Sequence, residues 1–401
     1  MSIIINRKNT LTLLLYVFVF ICVFFPLDPY NLKFVVLAII ALFAFGDYSG
    51  DITSGRHAYY YLMGLLFPFL LMIVSILNNG QIIQGISGAY PAVLILLLIP
   101  IVKRQIDYEK ILCNVLLLEV IITILIVLLD IAHIYDVNST SGFRMWFYDM
   151  GMGYMGKSYA YSSFYRVFFK SSPLFIYLLD YCWNNKKKVL VVLTAIALFF
   201  SGTRANVIAT MAYIGWRLIF NTTKKRNNQI ILSILMVIIL FFAMGGISGF
   251  IKDMMNRSGS IASDVVRSGQ LKGLIESLKN PSTLLFGDGF GTQFYDYGRM
   301  QYISGVEYSY IDLLRQIGIV FFVPFFVFTI LPLFKKVPTG LKISHIGYMA
   351  IAFTNPLFFT STAYLAYLFM YYNVEVGIDS SIGESKFENS NDISTNTVLR
   401  G

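Results

Sequence analysis

The sequence predicts an all-α, polytopic integral membrane protein, and three observations carry that prediction. Of the 401 residues, 57% are hydrophobic and only 13% charged, against roughly 25% charged in a soluble domain. Mean hydropathy is correspondingly high at +0.67. Apolar runs of about 17–25 residues, the length that crosses a hydrocarbon core, recur along the chain. Lys and Arg collect in alternate connections between those runs, as the positive-inside rule requires. The net charge of +9 therefore sets topology and is no footprint of nucleic acid. Cys22, Cys113 and Cys182 lie in or beside apolar runs without CxxC spacing, which excludes a disulfide framework or zinc site and leaves small core residues.

The runs lie near 10–27, 32–46, 58–77, 89–102, 111–134, 167–183, 187–201, 203–220, 229–250, 310–334 and 343–372, about 11 transmembrane helices. Leu11 to Phe25 opens the first span rather than a cleaved leader, since no small-residue cleavage site follows. The last run contains Asn355-Pro356. Proline removes an internal helix hydrogen bond, so two half-helices or a re-entrant pair stand beside a single span.

Between the runs, the basic connections carry Arg7 and Lys8; Arg56; Lys103, Arg104 and Lys110; Lys186, Lys187 and Lys188; Arg217, Lys224, Lys225 and Arg226; and Lys335, Lys336 and Lys342. The connection from Asn78 to Gly88 has neither Lys nor Arg. This alternation puts the N-terminus in the cytoplasm and both long polar segments, about 135–166 and 251–309, outside. Residues 1–373 read as a single membrane domain whose long outer loop carries short amphipathic helices. The Ser/Asn/Asp-rich tail 374–401 lacks apolar periodicity and is expected to be disordered. Eleven spans leave it outside; a split last run brings it inside. No inverted repeat of the transporter kind is visible.

The chemistry concentrates in those outer segments. Arg204 stands in Ser201-Gly202-Thr203-Arg204-Ala205-Asn206, a tight connection within an almost continuous apolar run. A charge costs about 2.5–3.5 kcal/mol at the centre of a spanning helix and less near the surface. It therefore faces an anion or snorkels to headgroups. Ser263 is placed to cap a helix from about Asp264 to Lys279, ending before Pro281. Arg267 shares a face of that helix with Leu271, Leu274 and Leu278, while Lys272, Glu276 and Lys279 take the wetter side. An interfacial helix of this kind presents its guanidinium at headgroup depth, to a lipid-linked phosphate or as a simple anchor.

Further outer cations are Arg257 in the second loop and Arg144, Lys157, Arg166 and Lys170 in the first. Trp146, Phe147 and Tyr148 beside Arg144 suit either a membrane interface or a sugar face. The run Gly287-x-Gly289-x-Gly291 lacks the βαβ context of a dinucleotide fingerprint. It predicts a tight turn with close backbone approach and amides open to an anion or sugar. Glu307, at the lip of the next span, is placed either as general base for a hydroxyl or as partner of an outer arginine. Asp312 and Arg315, three apart, predict a pair. The histidines His57, His133 and His345 are scattered, and no metal or other cofactor is implied.

Taken together, these residues resemble the O-antigen ligase and polymerase superfamily. The likeness lies in the Ser-Gly-Thr-Arg204-Ala element and the loop through Arg267, Asn280-Pro281 and the glycine run. It continues in Glu307-Tyr308-Ser309-Tyr310-x-Asp312-Leu313-Leu314-x-Gln316-x-Gly318. The stretch Arg166-Val-Phe-Phe-Lys170-Ser-Ser-Pro173 and Thr354-Asn355-Pro356 resemble O-antigen polymerases of the Wzy type. The ligase branch typically carries a histidine near the position of Glu307, and this loop has none. The resemblance implies a bacterial inner-membrane glycosyltransferase with its site on the periplasmic side. It would join undecaprenyl-diphosphate-linked oligosaccharide repeat units, with a chain-length regulator as possible partner. Arg204 and Arg267 would stabilise the diphosphate leaving group and Glu307 would take the acceptor proton. Arg166, Lys170, Arg144, Arg257, Tyr308 and the three glycines would bind substrate.

Two rivals stand beside this reading. A ligase performs the same chemistry on a lipid A core. A transporter or flippase of lipid-linked sugars predicts charges lining a path through the spans, whose main charges here are Glu119, Asp130, Asp180 and Arg315.

Overall fold

A computed structural model describes residues 7–28, 30–52, 57–79, 82–139, 142–157, 165–220, 257–304, 306, 308–353, 355 and 357–378. Six of its helices are long and apolar enough to cross a membrane. These are α1 (Arg7–Phe24), α2 (Leu32–Ser49 of a slightly longer helix), α3 (Ala58–Asn78), α4 (Ile82–Lys103), α5 (Tyr108–Ile131) and the later α12, within Ser309–Phe334. They match six of the runs read from the sequence. The runs near 187–201 and 203–220 form the shorter helices α8 (Lys188–Phe200) and α9 (Arg204–Phe220). The run 229–250 lies outside the described residues.

Three predicted elements take a different form. The run 167–183 begins as strand: β1 (Gly153–Lys157) pairs antiparallel with β2 (Tyr165–Phe169), and helix α7 starts only at Phe175–Asn184. Its apolar start is a β-branched and aromatic strand buried on alternate residues, which hydropathy alone does not separate from a span. A second hairpin, β3 (Phe294–Asp296) with β4 (Gln301–Ile303), follows later, so the fold is mainly helical rather than all-α. The run 343–372 is two helices, α13 (Thr339–Phe353) and α14 (361–378). Of the stretch 374–401 expected to be a disordered tail, 374–378 finish α14, and 379–401 lie outside the described residues.

Helix α14 is the pillar of the bundle. Every residue from Ala363 to Tyr371 is at most 3% exposed, as befits a helix that is apolar all round. Two of its tyrosine hydroxyls donate to neighbouring carbonyls, Tyr367 to Phe358 O at 2.8 Å and Tyr371 to Phe328 O at 2.7 Å. Two irregular stretches face one another nearby: a π-turn at Leu62–Leu66 in α3 and a 3₁₀ run at Tyr90–Leu97 in α4. Gly64 permits that approach, since a Cβ there would lie 2.7 Å from Leu96 Cγ.

Contacts sort the connections to two ends of the bundle. At the lysine end, Arg104 pairs with Asp47 at 2.6 Å, His57 with Asp51 at 2.7 Å, and Glu375 accepts from Tyr60 at 2.7 Å. Arg217 binds Asp180 there, with Asn184 at 2.7 Å. The Glu375 contacts bring the C-terminal end of α14 to this end. At the opposite, loop end gather the α1–α2 connection, both hairpins, α6 (Phe143–Asp149), α10 (Arg257–Ser277) and α11 (Pro281–Phe286). Helix α10 starts at Arg257, earlier than the Ser263 cap predicts.

Candidate functional site at the loop end

The first cluster forms around the β1–β2 hairpin. Gly202, with φ +66°, lies against the stem of Arg166: a Cβ at 202 would sit 2.6 Å from Arg166 Cγ and 3.1 Å from its Cβ. The turn leading to Arg204 is thus seated on Arg166. Arg166 stands opposite Gly156 across the hairpin, and directly opposed residues share a sheet face. Arg144 reaches the same place, its Nη2 3.9 Å from the position a Gly156 Cβ would take, while its other nitrogen donates to Asn138 O. Three sequence-distant cation segments therefore converge. The side chains of Arg204 and Arg257 are not among the described side chains.

Behind this cluster the polar groups are buried and bonded. Asn206 Nδ2 donates to Ser172 Oγ at 3.1 Å and Ser201 Oγ at 2.9 Å. Asp130 accepts from Val137 N at 2.9 Å, Tyr165 OH at 2.5 Å and Lys157 at 2.5 Å. Lys170 sits on the turn after β2, its amide donating to Met152 O. Burial holds the Lys170 ammonium below lysine's ordinary range, because desolvation disfavours its charged form.

Arg267 is half-buried on α10. Gly269 and Gly273 bring α10 onto the second hairpin, against Gly298 and Tyr295. On the predicted apolar face, Leu274 is fully buried with Phe294 and Val306, and Tyr308 packs on the same group. On the wetter side the Lys272 ammonium lies 4.2 Å from the Tyr297 ring centroid, and Tyr297 OH donates to Glu276. Glu307 lies outside the described residues; the residues on either side of it both meet the Leu274 face.

The glycine run does adopt left-handed backbone, with φ of +83°, +90° and +79° at Gly287, Gly289 and Gly291. The amides of residues 287–290, however, are bonded within the protein. Gly287 N donates to Thr283 O, Asp288 N to Arg315 O at 2.8 Å and Gly289 N to Gln316 O at 2.9 Å. Phe290 N donates to Ser75 Oγ at 2.9 Å. The acceptors exist because α12 (Ser309–Ile330) breaks at Gly318, φ 69° and ψ 165°, which frees carbonyls ahead of the break. Through Asp288 and Gly289 the run grips a broken helix.

That same half-helix lines a cavity of about 480 Å³, a usual size for a small-molecule site. Six segments build it: the α1–α2 connection with Asp28 and Asn31, α4 with Gln84, Ser87 and Tyr90, the glycine run with Phe290 and Gly291, the stretch after β4 with Ser304 and Val306, α12 with Asp312 and Gln316, and 358–361. Asp28 caps α2, accepting from Leu32 N at 2.9 Å and Lys33 N at 2.7 Å. Lys33, 1% exposed, donates from Nζ to Pro26 O at 2.7 Å and Ser361 Oγ at 3.1 Å. Asp312 accepts from Arg315 at 3.0 and 2.8 Å and from Gln316 at 2.8 Å, the predicted Asp312–Arg315 pair. Arg315, fully buried, also holds Thr292 Oγ1 at 2.8 Å.

Sequence reasoning did not find this cavity, apart from Gly291. One signal pointed at it: Lys33 is a lysine at the loop end of a span, against the alternation of the basic connections. The two clusters are neighbours through residues 24–28, since Leu27 lines the cavity and packs on Gly151 while Phe24 meets Phe169 edge-on at 5.9 Å. No protein-family model, curated protein or solved structure matches the chain. Among the described residues no group of His, Cys, Asp and Glu is placed to hold a metal ion.

Proposed function

We propose that this membrane protein is a polysaccharide polymerase that joins undecaprenyl-diphosphate-linked oligosaccharide repeat units, working at the loop end of its bundle on the periplasmic side of a bacterial inner membrane. The observation that carries the reading is the seating of the Ser201-Gly202-Thr203-Arg204 turn on Arg166, with Arg144 on the same face of the hairpin. Cations converging at the end opposite the lysine connections suit a diphosphate that gains charge as it leaves. Fixed guanidiniums stabilise that charge best where water is excluded.

In the step itself, the acceptor hydroxyl attacks the anomeric carbon of the donor glycan, and the bond from that carbon to the diphosphate oxygen breaks. The electron pair leaves with the lipid diphosphate, and the hydroxyl proton passes to a base, for which Glu307 is the candidate. Arg204 and Arg267 are proposed to face the departing diphosphate, with Arg166 third. Six apolar spanning helices suit substrates that are themselves lipids.

The test is the surface-glycan ladder of cells lacking the protein. A single repeat unit on the lipid core, with longer bands gone, is the expected result. Loss of every band above the bare core would instead point to ligation or to transport upstream.

A further inference from the structure

We propose that the loop-end cavity is a saccharide pocket, separate from the arginine cluster, that holds the uncharged sugar end of the acceptor and not a phosphate; this rests on the transferase reading above. The sign of its wall decides between the two ligands. Among the described residues, its charged lining side chains are Asp28 and Asp312, with no Lys or Arg. A phosphate entering it meets two carboxylates and no facing cation.

Each carboxylate is compensated from behind by a buried cation. Lys33 bonds the lining residues Pro26 and Ser361, and Arg315 bonds Asp312. Neither cation reaches the cavity surface, Lys33 being 1% and Arg315 0% exposed. The wall is therefore nearly neutral while presenting acceptors. A carboxylate has about four lone-pair sites; Asp28 spends two on backbone amides and Asp312 three on side chains. The remainder are free to accept from hydroxyls. Asn31, Gln84 and Ser87 supply mixed donors and acceptors on the same wall. Phe34 and Tyr90, ring centroids 4.5 Å apart, give an aromatic edge of the kind on which sugar rings stack. Hydroxyl acceptors, amides and rings around a volume of about 480 Å³ describe a site for a short neutral glycan.

The test uses full-length protein in lipid nanodiscs and the lipid-free, phosphate-free oligosaccharide that mild acid releases from the host's lipid-diphosphate-linked repeat units. The wild type should bind it saturably. Ser87→Trp, at an exposed position on α4 that lines the cavity, should weaken binding at least tenfold, as should Gln316→Ala. Arg166→Ala should leave this binding within twofold. Absence of saturable binding to the wild type, unchanged affinity in Ser87→Trp, or displacement of the oligosaccharide by inorganic diphosphate would each overturn the assignment. A full glycan ladder in deletion cells would remove the transferase reading while leaving oligosaccharide binding to be read on its own.

Discussion

Two glycines with positive φ, one packed on Arg166 and one not, make a paired test of the arginine cluster. Gly202 and Gly142 have φ of +66° and +65°; an L side chain in left-handed backbone costs about 1–2 kcal/mol, and at Gly142, with ψ −133°, the region is sparser still and costs about 1–3 kcal/mol. At Gly142 an added Cβ meets nothing within 4 Å among the described residues; at Gly202 it would lie 2.6 Å from Arg166 Cγ and 3.2 Å from Arg166 Cα. Because the latter is backbone, strand β2 must shift and not merely turn a rotamer. Overpacking of this kind adds about 1–3 kcal/mol. Gly142→Ala should therefore cost about 1–3 kcal/mol, the conformational term alone, and Gly202→Ala about 2–5 kcal/mol, conformation and overpacking together. Thermal unfolding in detergent compares the two, and the glycan ladder of complemented cells reads activity. With equal amounts of protein in the membrane, Gly202→Ala should shorten the polymer and Gly142→Ala should not. Each ~1.4 kcal/mol of lost transition-state stabilisation is tenfold in rate, so a small displacement of Arg166 is readable. Equal ladders for the two variants at equal membrane levels would refute the link between the Gly202–Arg166 contact and function.

Other consequences are equally direct. Arg204→Ala and Arg267→Ala should abolish polymer while the protein stays in the membrane, and Lys at either site should restore little because the bidentate fork is lost; wild-type ladders in both alanine variants would remove the diphosphate clamp. At the lysine end, Arg217→Met leaves Asp180 buried with its ion pair broken and should cost about 3–5 kcal/mol. Adding Asp180→Leu should recover part of that, read as melting temperature in detergent. His57 is raised above the ordinary histidine range by its bond to Glu375, against burial and with help from Asp51. The stability it adds is complete below the unfolded value near 6.5 and is lost as pH rises through the raised value. His57→Gln should flatten the melting profile on that alkaline side.

How much of this was legible depends on whether the signal is local. Helices α1 to α5 and α12 were readable because length and hydropathy are properties of a single run. The Tyr165–Phe169 strand was not, since Val167, Phe168 and Phe169 look the same to a hydropathy window whether they face lipid or alternate across a hairpin. Asn355-Pro356 announced the division of the last run, and Glu375, seated on Tyr60 and His57, shows why helix persists into a stretch that reads as polar tail. At the glycine run, left-handed backbone was foreseeable from residue type; the partner was not, because the carbonyls of Arg315 and Gln316 become available only when α12 breaks at Gly318. The cavity is the extreme case. Asn31, Gln84, Phe290, Gln316 and Ser361 share no local pattern and meet only through the packing of distant segments.

The charges inside the spans bear on what the bundle is for. A path for polar cargo needs them to face a continuous wet route, yet none of Glu119, Asp130, Asp180 and Arg315 lines the loop-end cavity. Asp180 is taken by Arg217 at the lysine end, and Arg315 by Asp312 and Thr292. The other two hold the first hairpin. Asp130 binds Lys157 and Tyr165, the residues opposed at the end of β1 and β2. Glu119 lies 2.7 Å from Ser171, just past β2, whose Oγ is also 2.8 Å from Val23 O. Both carboxylates come from α5, so one helix fixes both ends of the strand that carries Arg166. A buried ion pair is weak support for stability but a good device for fixing one arrangement, and a guanidinium serves a developing charge only when it is already in place. Span charges used as anchors for an arginine-bearing strand weigh toward chemistry at the loop end and against transit through the bundle.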